Sequence, residues 1–258
     1  MDLLLPTECA GCEQPETTLC LACQDLIEQM LAEPSEVSDH ATALPVLPFA
    51  PTASDDLQEP PVLPVYAAGT YTDELAGIIW AIKERSRPRL CRYFGPGFGR
   101  AITAALQHET APQHETAQQR CILVPIPTEA SSLHKRGFWP LAQFLKHVDL
   151  SGPAYHLLEI SQSPKTRRSG AQKLRNKSAR ASTLRGRFQI NDVLADSLRA
   201  RPVVLVDDVL TTGATLAEGY RVLTAAGFSV SAAAVVVATP AGGRTPVLPR
   251  NQLTGESP

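Results

Sequence analysis

The first 82 residues of this 258-residue chain contain no lysine and no arginine, against 14 Asp or Glu. That absence removes them as a surface for phosphate or nucleic acid. All 24 cations lie in residues 83–258 with only 12 acids, so the formal charge of −2 conceals a sharp division. No apolar run approaches the roughly 18 residues of a transmembrane helix. Residues 1–5 are too short and too acidic for a signal peptide, so a cytoplasmic protein with reduced thiols is expected. There is no internal repeat and no Ser-His-Asp pattern, and the six histidines are scattered without metal-ligand spacing. A hydrophobic fraction of 43% is enough for a sizeable core.

What the chain does contain is concentrated in residues 203–215. Val203 to Val206 read as a buried strand. Asp207 and Asp208 follow at its expected end, then the small hydroxyl-rich loop Thr211, Thr212, Gly213, Ala214 and Thr215. Leu216, Tyr220, Leu223 and Ala226 have helical spacing, with Gly227 as C-cap. Loop amides and a helix N-terminus can hold a phosphate, Gly213 permits close approach, and paired carboxylates can accept hydrogen bonds from vicinal ribose hydroxyls. The plainer alternative is an ordinary strand-to-helix turn with solvated acids.

Elsewhere, strand patterns fall at Val65–Tyr71, Cys121–Ile126, His156–Ile160, Phe188–Ile190 and Ser229–Val237. Helical patterns fall at residues 24–32, over Leu75, Ile78, Ile79 and Ile82, from Phe94 to Leu106, and at Leu141–Val148. This alternation predicts an α/β fold, a parallel sheet flanked by helices. Ligands of such sheets sit at the carboxyl ends of the strands, which brings the segment after Ile126 to the same edge as Asp207.

Cys9-x-x-Cys12 and Cys20-x-x-Cys23 suit one tetrahedral Zn²⁺ held by four thiolates, a closed structural site. Two disulfides in an oxidising compartment are the alternative. Cys91 and Cys121 read as buried small hydrophobes. Four units are expected: a zinc ribbon at 1–32, an acidic Pro-rich linker at 33–61, a folded domain at 62–239 and a disordered tail at 240–258.

Residues 203–215 resemble the PRPP-binding motif of type I phosphoribosyltransferases. Leu123-Val124-Pro125-Ile126-Pro127-Thr128, Arg136-Gly137-Phe138 and the four-cysteine box, in that company, resemble the ComF family of phosphoribosyltransferase-like proteins. Some members are linked to DNA uptake in natural competence. The resemblance implies a type I phosphoribosyltransferase-like fold carrying a small N-terminal zinc ribbon. It implies that Asp207 and Asp208 hold the ribose hydroxyls and that Thr211, Thr212, Gly213, Ala214 and Thr215 wrap the 5′-phosphate. It further implies a pyrophosphate loop at Pro125, Ile126, Pro127 and Thr128, with Lys135 and Arg136 on or beside a mobile closing loop. Mg²⁺ would arrive with PRPP. Lys83 matches a family lysine of no assigned role. Trp139-Pro140 departs from the family's Asn-Gln, and Thr183 stands where Asn is common. A sensor that keeps the loop without catalysis fits the same residues.

Residues 165–187 carry nine Lys or Arg, no acid and no aromatic residue. They could be a solvated surface, a collector of polyphosphate substrates, or a charge-driven contact for single-stranded DNA. Two functions therefore stand at this point. One is an enzyme transferring phosphoribose from PRPP to a nitrogen acceptor. The other is a non-catalytic module for single-stranded nucleic acid or for a partner ATPase of DNA uptake.

Overall fold

The computed structural model describes residues 8–47, 61–108, 121–149, 155–157, 160–162, 188–190 and 201–241. Its strands are β1 (Ser35–Glu36), β2 (Val65–Thr70), β3 (Cys121–Pro125), β4 (Tyr155–Leu157), β5 (Ile160–Gln162), β6 (Phe188–Ile190), β7 (Pro202–Leu210) and β8 (Ser229–Ala238). Its helices are α1 (Leu21–Met30), α2 (Asp73–Glu84), α3 (Gly95–His108), α4 (Ala130–Arg136), α5 (Pro140–Leu145) and α6 (Ala214–Ala225). Six strands form one sheet in the order β1-β2-β8-β7-β3-β4, parallel except for β1 at the edge. The expected α/β architecture is present.

Strand alternation builds two cores. Val204 and Val206 of β7 join Ala68, Leu123, Ala232 and Ala234 under α1, α2, α3 and α5. Val203 and Leu205 join Val65, Ile122, Val124 and Val235 on the opposite face, under Leu216 and Leu223 of α6. The frequent alanines of β2 and β8 let the covering helices come close without leaving voids. Gly219 serves the same end on α6: a Cβ there would lie 2.8 Å from Ile126 Cδ1.

Several sequence expectations shift. β7 does not stop at Val206 but runs to Leu210, because β8 extends to Ala238 and pairs with it throughout. The expected strand at 156–160 divides into β4, on the main sheet, and β5, which pairs antiparallel with β6 in a separate hairpin. The helix expected at 141–148 ends at Leu145, while α4 arises where a loop was expected. Cys91 is fully buried as expected, but Cys121 at the start of β3 is only partly buried.

The described part of the segment read as a linker, 33–47, is not a spacer. β1 pairs with β2, and the Val37 amide donates to Val65 O at 2.8 Å. Val37 enters the second core, and Leu44 and Leu47 pack against it. The prolines break regular structure here without preventing apolar burial. The cationic run 165–187 and the tail after residue 241 lie outside the described residues.

Nor does the cysteine box stand apart. Cys9, Leu19, Cys23, Ile27 and Leu31 belong to the same core as α2 and α3. Leu31 fills a notch between two glycines: a Cβ on Gly69 would meet its Cδ2 at 2.5 Å, and one on Gly97 its Cβ at 2.6 Å. Arg100 Nη2 donates to Leu31 O at 2.8 Å and Arg87 Nη1 to Glu8 O at 2.8 Å. Leu31→Ala is therefore expected to destabilise the whole chain by about 2–5 kcal/mol, read as a lower urea midpoint in one cooperative transition. An unchanged midpoint would show that the N-terminal residues are an appended module.

Candidate active site

β3 ends at Pro125, paired with Val206, and the chain leaves the sheet after a last bond from Ile126 N to Val206 O of 2.9 Å. β7 continues alone on that flank, so Asp207 and Asp208 protrude into the space that β3 vacates. A cleft of about 250 Å³ opens there, lined by Lys83, Ile126, Pro127, Thr128, Arg136, Trp139, Leu141, Asp207, Asp208, Val209 and Thr215.

Alternation continued from Val203–Val206 directs Asp208 toward the α2 face and Asp207 toward the α6 face. Lys83 Nζ, from the last turn of α2, lies 2.7 Å from Asp208 Oδ2. Asp207 Oδ1 accepts the Asp208 amide at 2.8 Å. Burial, and then the neighbouring Asp208 charge, push the Asp207 carboxyl up to about 8; the Asp208 amide and Lys83 pull against this and lose.

The turn after β7 is short, because α6 begins at Ala214. Gly213 caps it with φ of 81°, a left-handed conformation that side chains resist. Among the described residues, the amides of Thr211, Thr212, Gly213 and Thr215 donate to no protein acceptor, and Ala214 N reaches Thr212 Oγ1 only at 3.4 Å. Four donors and a helix N-terminus are thus free for an anion. The residues read as linker steady this turn: Ala43 N donates to Thr212 O at 2.9 Å, and a Cβ on Gly213 would lie 2.7 Å from Leu44 Cδ2.

Lys135 and Arg136 occupy the last turn of α4, closed by Gly137 with φ of 74°. Both are held by one carboxylate of α2, with Lys135 Nζ 2.8 Å from Glu84 Oε2 and Arg136 Nη2 2.8 Å from Glu84 Oε1. These two cations hold Glu84 below the usual carboxylate range. Arg136 lines the cleft, whereas Lys135 does not and is 72% exposed.

No protein-family model matches the chain. One stretch of 60 residues is 51% identical to an adenine phosphoribosyltransferase of Mycobacterium avium (strain 104), covering 22% of this chain and 33% of that one. A stretch of 53 residues is 49% identical to the adenine phosphoribosyltransferase of Mycolicibacterium gilvum (strain PYR-GCK), covering 20% and 30%. The chain spans about a third of the length of these curated relatives. Among solved structures, a hypoxanthine phosphoribosyltransferase from Staphylococcus aureus is 14% identical with a TM-score of 0.33, covering 62% of this chain and 74% of that one. The hypoxanthine phosphoribosyl transferase of Trypanosoma cruzi is 12% identical with a TM-score of 0.33, covering 62% and 70%.

The structure brings Asp207, Asp208, Ile126, Pro127, Thr128, Arg136 and Thr215 into one cleft. Pro125 at the end of β3, the turn residues Thr211, Thr212 and Gly213, Ala214 at the start of α6 and Lys135 in α4 do not line it. Lys83 gains the place that sequence could not assign. Glu84 was not singled out at all; its only signal was a lone acid directly after the first cation of the chain.

The four sulfurs of Cys9, Cys12, Cys20 and Cys23 all lie within 4.8 Å of one another, with Cys12 and Cys20 Sγ 3.5 Å apart. Cys20 N donates to Cys9 Sγ at 3.3 Å, which favours a thiolate there. Burial opposes ionisation of Cys9, yet the amides of Cys12, Cys20 and Gly11 outweigh it and bring the thiol to about 6. A Cβ on Gly11 would strike Cys23 Sγ at 2.7 Å, so the knuckle closes tightly only with glycine. This donor set fits one tetrahedral zinc ion, whose charge would offset the mutual repulsion of four thiolates.

Two outcomes follow from this geometry. The full chain should retain one zinc ion per molecule, released by a mercurial and read with a chromogenic chelator. Cys12→Ser should both lower that stoichiometry and lower the unfolding midpoint; four freely titrating thiols and indifference to chelation would contradict it. Separately, a carboxyl whose pKa is higher folded than unfolded binds its proton more tightly when folded. The Asp207 contribution is therefore full below about pH 4 and lost as the pH rises through about 8. Urea midpoints should fall across that window for wild type and fall less for Asp207→Asn.

Proposed function

We propose that this cleft binds PRPP with Mg²⁺ and that the chain transfers the phosphoribosyl group to a nitrogen acceptor, releasing pyrophosphate. The observation that carries this reading is the meeting, in one small cleft, of two adjacent carboxylates with Thr215 of the α6 N-terminus, whose amide donates to no acceptor among the described residues. Asp207 and Asp208 accept hydrogen bonds from the ribose hydroxyls. The Thr211–Thr215 amides and the Thr215 hydroxyl take the 5′-phosphate. Ile126, Pro127, Thr128 and Arg136 face the pyrophosphate. As the bond from C1 to pyrophosphate breaks and the bond from C1 to nitrogen forms, charge collects on the leaving oxygens, where Arg136 can stabilise it. The protein supplies position and charge, with no covalent nucleophile.

The curated relatives are adenine phosphoribosyltransferases, so purines head the acceptor screen. Trp139, which with Pro140 stands in place of the Asn-Gln common in the ComF family, lines the cleft and can stack on such a base. Membership of the ComF family, with its link to DNA uptake, is a finer step of the same reading. It is supported by the four-cysteine box and the acid pair occurring in one chain. The non-catalytic alternative rests on the cationic run 165–187, which lies outside the described residues, on the four-cysteine box, and on Trp139-Pro140 in place of the family's Asn-Gln; the acid pair and the threonine turn favour a phosphoribosyl ligand.

Titration calorimetry with PRPP and Mg²⁺ tests the reading. Wild type should bind; Asp207→Asn and Asp208→Asn should each weaken binding by about 10–100-fold, the worth of a charge-assisted hydrogen bond. Hydroxyl donors favour the ionised form of Asp207. Binding at pH 7 should therefore release up to about one proton, detected by repeating the titration in buffers of different ionisation enthalpy. Silence from wild type at millimolar PRPP would sink the proposal.

A further inference from the structure

Glu84 holds the guanidinium of Arg136 by one corner only. Nη2 is bonded to Glu84 Oε1, while Nε, buried and facing no acceptor among the described residues, is left without a partner. A carboxylate that engages one corner fixes the guanidinium in place while leaving it hydrogen-bonding capacity. Arg136 lines the cleft and its side chain is 18% exposed. Lys135, on the other Glu84 oxygen, is mostly in solvent, so the same carboxylate fixes the end of α4 without drawing the second cation into the cleft.

We propose that Glu84 is a positioning residue, which holds Arg136 by Nη2 so that the guanidinium stays on the cleft wall for an oxygen of a pyrophosphate-bearing ligand. The inference rests on the reading of the cleft given above. Glu84 touches no ligand itself. Its place at the end of α2, directly after Lys83, ties the cationic wall of the cleft to the same helix turn that engages Asp208.

The test uses the full chain and inorganic pyrophosphate with Mg²⁺. The Arg136 Nε–H resonance, assigned through Arg136→Lys, should shift as pyrophosphate saturates the protein. Glu84→Gln should weaken pyrophosphate about tenfold, and Glu84→Asp should recover part of the loss, both with wild-type urea midpoints. Charge alone predicts the reverse, because Glu84→Gln removes a negative charge beside two cations and should tighten an anion. Unchanged or tighter binding by Glu84→Gln, or an indifferent Nε–H signal, overturns the inference. Should wild type bind pyrophosphate in this way but not PRPP, the proposed function fails and this inference stands. Binding of neither overturns both.

Discussion

Everything at the cleft depends on β7 being longer than one of its two neighbours. β8 pairs with β7 as far as Leu210, while β3 leaves it at Val206. The overhanging residues thus keep a full ladder on one flank and open a crevice on the other. Their backbone stays paired to β8, so Asp207 and Asp208 are displayed on a strand, not on a free loop. Pleating then sends the two carboxylates to opposite faces, which is why they meet different partners. Asp208 finds Lys83. Asp207 lies nearer the enclosed side and carries the strongly raised pKa.

The last turn of α2 is the second organising element. Seven of its twelve residues are buried, so its position is set by the core and not by the cleft. From that fixed base Lys83 and Glu84 project opposite charges, one toward the acid pair and one toward the end of α4. The cysteine box packs onto the same helix, since a Cβ on Gly11 would also come within 3.4 Å of Ile78 Cδ1. The acid-rich N-terminal residues are therefore part of the scaffold: one section buttresses α2 and α3, and another steadies the turn at Thr212 and Gly213.

Much of the architecture was legible because its signals are local. Runs such as Val203–Val206 and Ser229–Val237 are too apolar and β-branched to be anything but buried strands. Gly213 and the threonines announce a turn, and Leu216 with Leu223 announces a helix face. The hairpin of β5 and β6 was not legible as a separate sheet, since short strands carry no register signal. The packing of 33–47 was obscured by prolines and acids, whose average composition hides Val37, Leu44 and Leu47. The partial exposure of Cys121 likewise depends on its position at the start of β3, which its apolar neighbours do not reveal.

By itself the sequence determined most of the strands and helices of the main sheet, the acid pair, the small-residue turn and the four thiols at metal-ligand spacing, because each is a property of neighbours along the chain. Only the tertiary structure decided that Lys83 meets Asp208, that Glu84 gathers Lys135 and Arg136, and that Ala43 reaches Thr212. Those contacts join residues tens to more than a hundred positions apart. Their formation depends on how far each strand extends beside its neighbour and how closely small residues let the helices approach, which are sums over the whole core.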